Sequence, residues 1–350
     1  MKKTRKISAE YSASPSAVGN IAVLGGGTWG STLAAMLAGK KYKVSLWEFD
    51  KSAARRLAVG RSLKNLPGFR LPSSVRVTSR LDEVFPADIM VAALPSFAFK
   101  STLESVRGIL NDMKSSRRPG VIIATKGFAG RDASPLSVAA RRVLPSADVA
   151  VLTGPSHAEE VSRRFPAAVV AASASKSFAE KTQKIFSTEN FRVYVNTDIC
   201  GCETAGALKN IYAIAAGITD GLRLGDNAKA ALVTRSLSEM SRAGCALGGK
   251  RETFAGLAGA GDLIVTCYSS HSRNRRLGEM IGAGLTLQQA LKSMTMVAEG
   301  VYAARAVEKL KSKFGIDTPI ADEVRAILFR GKSPRKAVAD LMTRPLKNEL

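Results

Sequence analysis

The sequence predicts an α/β domain built on a doubly wound, largely parallel sheet, followed by an all-helical domain. Three observations carry that expectation. Short apolar runs alternate with helical segments up to about residue 196, the alternation by which a chain covers both faces of a parallel sheet. From Cys200 onward β-type runs disappear and long helical stretches take over. Near that change lies E-T-A-G-A-L-K-N-I-Y-A-I-A-A-G-I-T-D, Glu203 to Asp220, apolar or small nearly all round and so a buried core helix. The expected division is a basic tail over 1–19, a first domain over 20–196 and a helical domain over 197–350.

At 350 residues the chain is long enough for two cores. Its formal charge of +23 invites a nucleic-acid reading. The basic residues are spread over the whole length, however, with no nucleic-acid-binding motif and no interleaved aromatics, so no nucleic-acid partner is expected. A diffuse positive field suits small anionic ligands instead. No apolar run is long enough to span a bilayer. Lys2, Lys3, Arg5 and Lys6 precede a Ser/Ala-rich piece without an apolar segment, which reads as a disordered tail, or second to that as a transit-like peptide, and not as a secretory signal. Four cysteines and two histidines show neither zinc nor disulfide spacing, so no metal site is expected and reduced thiols in a cytoplasm are the default.

The first strand, Asn20 to Leu24, runs into Gly25-Gly26-Gly27-Thr28-Trp29-Gly30 and a helical segment. Gly25 allows the tight turn, Gly27 lets backbone approach a pyrophosphate, and Gly30 lets helix pack on strand, the fingerprint of a Rossmann-like dinucleotide site. A second strand, Lys43 to Trp47, ends at Glu48, where the fingerprint expects an acid for the ribose hydroxyls. A carboxylate there repels a 2′-phosphate and favours NAD; Lys51, Arg55 and Arg56 nearby keep NADP open. Further strands are expected at 75–78, 88–94, 121–125, 148–152, 167–172 and 191–196, with helices at 100–113 and 135–144. Past the strand ends lie Pro95-Ser96, Thr125-Lys126-Gly127 and Gly154-Pro155-Ser156. Each alone reads as an ordinary turn; together on the rim where open α/β sheets bind ligands they read as a site.

In the helical part, Lys209 sits with Asn210 beside Gly206, Ala213 and Gly217, small residues that let backbone or a ligand come close. A buried lysine is costly without partners and marks a site. Asp226 is expected to cap a helix over 228–240. A glycine-rich piece, Ala255 to Tyr268, precedes Ser-Ser-His-Ser-Arg-Asn-Arg-Arg. Ser272 can cap a helix there, placing Arg273 and Asn274 in a first turn ready for a phosphate. Arg275 and Arg276 read as a solvated basic helix end. Helices over 286–294, 299–313, 320–329 and 334–342 complete the chain, Pro319 and Pro334 marking two starts.

These blocks resemble the bacterial-type NAD(P)-dependent sn-glycerol-3-phosphate dehydrogenases from about Asn20 to Leu341. The resemblance is carried by G-G-G-T-W-G at Gly25, T-K-G at Thr125, G-P-S-H-A-E-E-V at Gly154, L-K-N at Leu208, D-G-L-R-L-G-D-N-A-K-A-A at Asp220, L-A-G-A-G-D-L at Leu257, S-R-N-R-R at Ser272 and V-A-E-G at Val297. It implies that Lys209 is the proton-transfer lysine and that Lys126 touches cofactor and substrate. Gly154, Ser156, Asp262, Ser272, Arg273 and Asn274 are implied for the substrate, with Asp262 beside the two lysines. Ala158, Val297, Glu299 and again Arg273 are implied for the cofactor, Thr28 and Trp29 lying in its pyrophosphate turn. Many relatives carry an arginine close to the position after the second strand; Glu48-Phe49 here departs from that and supports NAD. The resemblance further implies a homodimer, a small phosphorylated three-carbon substrate, and supply of glycerol 3-phosphate for glycerophospholipid synthesis.

Three rivals stay open at this stage. A 6-phosphogluconate or 3-hydroxyacid dehydrogenase also joins a dinucleotide domain to helices and uses a lysine, but S-R-N-R-R and L-A-G-A-G-D count against it. A cofactor-binding regulator without catalysis predicts missing catalytic groups, yet Lys126, Lys209, Asp262 and Arg273 are present. Nucleic-acid binding driven by net charge predicts tight, salt-sensitive association.

Overall fold

The structure is a computed structural model that describes residues 19–114, 118–130, 133–346 and 348–349. The expected basic tail, apart from residue 19, lies outside them. Eight strands form one sheet: β1 (Asn20–Leu24), β2 (Lys43–Trp47), β3 (Arg76–Thr78), β4 (Ile89–Ala92), β5 (Gly120–Ile123), β8 (Val149–Thr153), β9 (Ala167–Ala172) and β10 (Phe191–Asn196). Two shorter strands, β6 (Phe128–Ala129) and β7 (Ser134–Pro135), make a separate antiparallel ribbon. The sheet order is β10-β9-β8-β5-β4-β1-β2-β3, and its pairs are parallel except for β8 against β9. β4 and β8 are buried at every residue, as strands covered on both faces must be, which is why they read as unbroken apolar runs.

β1 lies between β2 and β4, so the chain leaves β1 to one side and returns on the other. That reversal opens a crevice at the carboxyl ends of β1 and β4, where Gly25 and Pro95 emerge. The helix expected from residue 100 starts at Ser96. The reason is tertiary: Ser96 N donates to Glu299 Oε1 at 2.9 Å, so a carboxylate distant in sequence stabilises the first turn.

Beyond β10 every described regular element is helical. The Ile199–Gly221 helix runs through the middle of this part, its start held by Asp198, whose side chain accepts from Gly201 N at 2.8 Å, Lys250 N at 2.7 Å and Thr253 Oγ1 at 2.6 Å. The small residues along it resolve an open choice, because they admit backbone: a Cβ on Gly217 would lie 1.8 Å from Arg275 O, and one on Gly278 2.0 Å from Ile214 O. The Ile199–Gly221 and Arg273–Gly282 helices therefore pack at glycine distance. Asp226 is not the cap expected of it. The next helix spans Gly225–Ala246 with Leu224 before it, and Asp226 falls in its first turn, where its charge suits the helix dipole. Among the described residues, no helix is long and apolar enough to cross a membrane.

Candidate active site

The glycine turn is shaped by contacts that admit nothing larger. Gly25 has φ +109°, and a Cβ there would lie 2.4 Å from Ala93 O; one on Gly30 would lie 1.9 Å from Gly25 O. Gly27 differs, for a Cβ on it would meet nothing within 4 Å. Its smallness leaves room above the turn. Among the described residues no side chain caps the Thr28–Gly39 helix, so its first-turn amides face that room. An open glycine cradle over bare helix amides fits a pyrophosphate. The Trp29 ring is partly buried against Phe191, centroids 6.5 Å apart. Glu48 holds the turn from outside: Oε2 accepts from Gly26 N at 2.9 Å and Oε1 from Asp50 N at 3.1 Å.

At the opposite side of the crevice three charged groups meet. Lys209 Nζ lies 2.5 Å from Asp262 Oδ1 and donates to Thr266 Oγ1 at 2.7 Å. Lys126 Nζ lies 2.7 Å from Asp262 Oδ2 and donates to Gly154 O at 2.9 Å. Lys209 is 5 % exposed and Asp262 1 %. Asp262 is delivered by one wide turn, Leu257–Gly261, in which Gly261 N bonds back to Gly256 O, and it opens the Asp262–Tyr268 helix. Such a widened turn is common at functional sites. Burial pulls the Lys209 pKa down to about 7; Asp262 opposes that and Lys126 adds to it. Burial alone would raise the Asp262 pKa, but the two ammonium groups outweigh it and hold it below the ordinary carboxylate value.

A third station lies at the start of the Arg273–Gly282 helix. Ser272 caps it as expected, Oγ accepting from Arg275 N at 3.2 Å, which leaves its hydroxyl proton to give. Arg273 donates to Val297 O at 3.3 Å and reaches solvent along the cleft, although protein crowds it enough to lower its pKa against the pull of Glu159 and Glu299. The Asn274 side chain is used within the protein: Nδ2 donates to Asn210 Oδ1 at 2.8 Å and Oδ1 accepts from Gly300 N at 2.9 Å. It has a backbone amide to offer a ligand, and its side chain ties three helices together. Arg275 is not a solvated end. Its Nε lies 2.7 Å from Asp220 Oδ2, and its Nη1 lies 3.4 Å from Glu279 Oε2.

The comparisons with known proteins agree with this geometry. The model of the NAD-dependent glycerol-3-phosphate dehydrogenase N-terminus matches residues 20–179, and that of the C-terminus residues 198–339. The chain belongs to this family. It is 49 % identical over 336 residues to the glycerol-3-phosphate dehydrogenase [NAD(P)+] of Chlorobium phaeobacteroides (strain BS1), covering 94 % of this chain and 99 % of that one. The enzyme of the same name from Chlorobium limicola is 48 % identical, covering 95 % and 99 %. The crystal structure of glycerol-3-phosphate dehydrogenase from Coxiella burnetii superposes with a TM-score of 0.88 at 36 % identity, over 93 % of this chain and 99 % of that one.

Within this dehydrogenase the remaining expected residues lie around the same cleft. Gly154 adopts φ +132°, and its carbonyl accepts from both Lys126 and Ser156 Oγ, the latter at 2.8 Å. Ala158, buried, opens the short Ala158–Val161 helix. Glu299 reaches across from the helical side to Ser96, accepting from its N at 2.9 Å and its Oγ at 2.5 Å; burial raises the Glu299 pKa while those bonds and Arg273 oppose it. Sequence reasoning set Ser96 on the rim without its partner Glu299 and passed over Thr266, because both partners are remote in the chain. Phe49, named from the sequence only as part of the departure after the second strand, stands 81 % exposed one residue past Glu48. A large bare aromatic face at that strand end is a surface a flat base can cover.

Proposed function

We propose that the protein interconverts dihydroxyacetone phosphate and sn-glycerol 3-phosphate with NAD(P)H, Lys209 exchanging the proton at the C2 oxygen. The observation that carries this reading is a buried ammonium held by Asp262 and Thr266, with a pKa brought to about 7. The nicotinamide, when bound, supplies or accepts the hydride. In reduction negative charge develops on the substrate oxygen, and the Lys209 ammonium stabilises it and donates its proton. In oxidation Lys209 must be neutral to receive the proton. A pKa near neutrality makes both forms available in the cell's range. Asp262 keeps both ammonium groups aligned, and Lys126 adds a second positive charge beside the reacting oxygen.

The substrate phosphate belongs at Arg273, with the Ser272 hydroxyl and the amides of Arg273 and Asn274 as further donors. Its binding energy orients the carbonyl toward the lysines. Gly25, Gly27, Thr28, Trp29 and Gly30 hold the pyrophosphate through backbone, and Lys126, Ala158, Arg273, Val297 and Glu299 take the nicotinamide half. Gly154 and Ser156 close the substrate side. Glu48 favours NAD, because its fixed carboxylate repels a 2′-phosphate. A boundary between two domains just after residue 196, a homodimer, a cytoplasmic location and supply of glycerol 3-phosphate to glycerophospholipid synthesis belong to the same reading.

The test is NADH absorbance on adding dihydroxyacetone phosphate, run beside NADPH and repeated with Glu48→Ala. Turnover with a preference for NADH is expected, and the variant should move the ratio toward NADPH by about tenfold, the worth of one like-charge contact. Turnover with neither cofactor sinks the reading, and an unmoved ratio removes Glu48 from cofactor choice.

A further inference from the structure

One polar group in the cleft is left without a use by the three stations. His157 follows directly on the turn whose Gly154 carbonyl accepts from Lys126, and it occupies the position before the Ala158–Val161 helix. Its Nε2 is buried and has no hydrogen-bond partner among the described residues. A buried polar atom left unpaired costs free energy comparable to a lost hydrogen bond, so this nitrogen calls for a partner from outside the chain. The ring lies within electrostatic range of Lys209, Lys126 and Asp262. It also meets His271, centroids 6.0 Å apart, which belongs to the turn leading into Ser272. The imidazole therefore stands among the groups that receive the substrate, close to the lysine pair and to the turn that opens the phosphate station.

Its charge state narrows what it can recognise. Burial, then the charges of Lys209 and Lys126, push its pKa down to about 4, so it is neutral at pH 7. Of the three polar groups on the three-carbon ketone, the phosphate needs cations and has Arg273, and the carbonyl oxygen needs a proton donor and has Lys209. What remains is the free hydroxyl, an uncharged group that can donate and accept. A neutral imidazole is its chemical match. We propose that His157 is a specificity-determining residue, its unpaired Nε2 hydrogen-bonding the hydroxymethyl arm of the substrate beside the carbonyl. The assignment rests on the functional reading above and adds to it the group that distinguishes a hydroxyketone phosphate from its deoxy analogue.

The test compares kcat/KM for dihydroxyacetone phosphate and for hydroxyacetone phosphate, which keeps the ketone and the phosphate and lacks the hydroxyl. The unmodified enzyme should prefer the hydroxylated substrate by more than about tenfold, since a site built to bond a hydroxyl rejects the analogue without it. His157→Phe should erase about tenfold of that preference by lowering activity on dihydroxyacetone phosphate alone, hydroxyacetone phosphate staying within about threefold. His157→Gln, which keeps a polar tip, should retain most of the preference, and His157→Ala gives the same comparison if the Phe variant does not fold. A preference unchanged in the variants, an equal loss on both substrates, or equal turnover of both by the unmodified enzyme overturns the assignment. Turnover of neither ketone by the unmodified protein is a different result, and it overturns the functional reading itself.

Discussion

Asp262 and Glu239 are each 1 % exposed in the helical part of the molecule, yet the chain surrounds them with different partners. Asp262 lies between two ammonium groups, Lys209 at 2.5 Å and Lys126 at 2.7 Å. Glu239, on the Gly225–Ala246 helix, accepts instead from two backbone amides, Ile320 N at 2.9 Å and Ala321 N at 3.0 Å. These open the Pro319–Arg330 helix, which Thr318 leaves without a side-chain cap. The electrostatic outcomes are opposite. The lysines keep Asp262 ionised below its ordinary pKa, whereas burial drives Glu239 up to about 7 against the pull of those amides and Arg242. Glu203 repeats the second arrangement, accepting from Ser137 N and Oγ with its pKa also raised by burial to about 7. Burial alone does not make a carboxylate functional; a paired charge aimed into a cleft does.

The sharpest way to break this contrast is Lys209→Ala. It should lower kcat by about a thousandfold, the range of a lost general acid, in a protein whose far-UV circular dichroism is unchanged; a loss under tenfold in steady-state NADH oxidation would move the chemistry elsewhere. Next in size is Asp262→Asn, expected to cost about a hundredfold in kcat/KM through lost alignment. It also has a directional consequence. Because Asp262 raises the Lys209 pKa from below, removing its charge lets that pKa fall further under 7. Reduction needs the ammonium, so its alkaline decline should move to lower pH, and the rise of the oxidative rate should move with it. A pH–rate midpoint that stays in place would show that Asp262 does not set the proton affinity of Lys209.

On the other side of the comparison, Glu239→Ala should leave kcat within about twofold while destabilising the fold by about 1–3 kcal/mol in urea titrations, the cost of unpaired buried amides. A kcat falling with stability intact would make Glu239 part of the site. The smallest effect is the pH slope. The folded pKa of Glu203 and Glu239 stands above 4.5, so their contribution is fully present below that pH and is lost as pH rises through about 7. Asp262 works in reverse, contributing above its unfolded pKa and losing that contribution as pH falls. The double variant Glu203→Gln/Glu239→Gln should therefore flatten the decline in unfolding free energy between pH 5 and pH 7 by about two protons at most. A slope equal to that of the parent protein would erase the contrast.

Much of this was legible locally. β1, β2, β9 and β10 end where their apolar runs end, Ser272 caps the helix that follows it, and Pro319 and Pro334 open two others. Lys209 declared itself because the residues around it leave a charge no route to water. Asp226 misled because a good capping residue was read without the preceding Leu224-Gly225 turn, where Gly225 takes φ +84°. The Asn274 side chain also clasps helices together, a use visible only once Asn210 and Gly300 stand beside it.

By itself the sequence determined the alternation of strand and helix, the glycine turn and the buried lysine helix, because periodicity, φ above zero and lack of side-chain volume are properties of adjacent residues. Tertiary structure alone decided which charges meet. Lys126 and Asp262 are 136 residues apart in the chain, Lys209 and Asp262 53, and Ser96 and Glu299 203. Folding brings them within hydrogen-bond reach and takes them out of water, and that desolvation brings the lysine's pKa to neutrality.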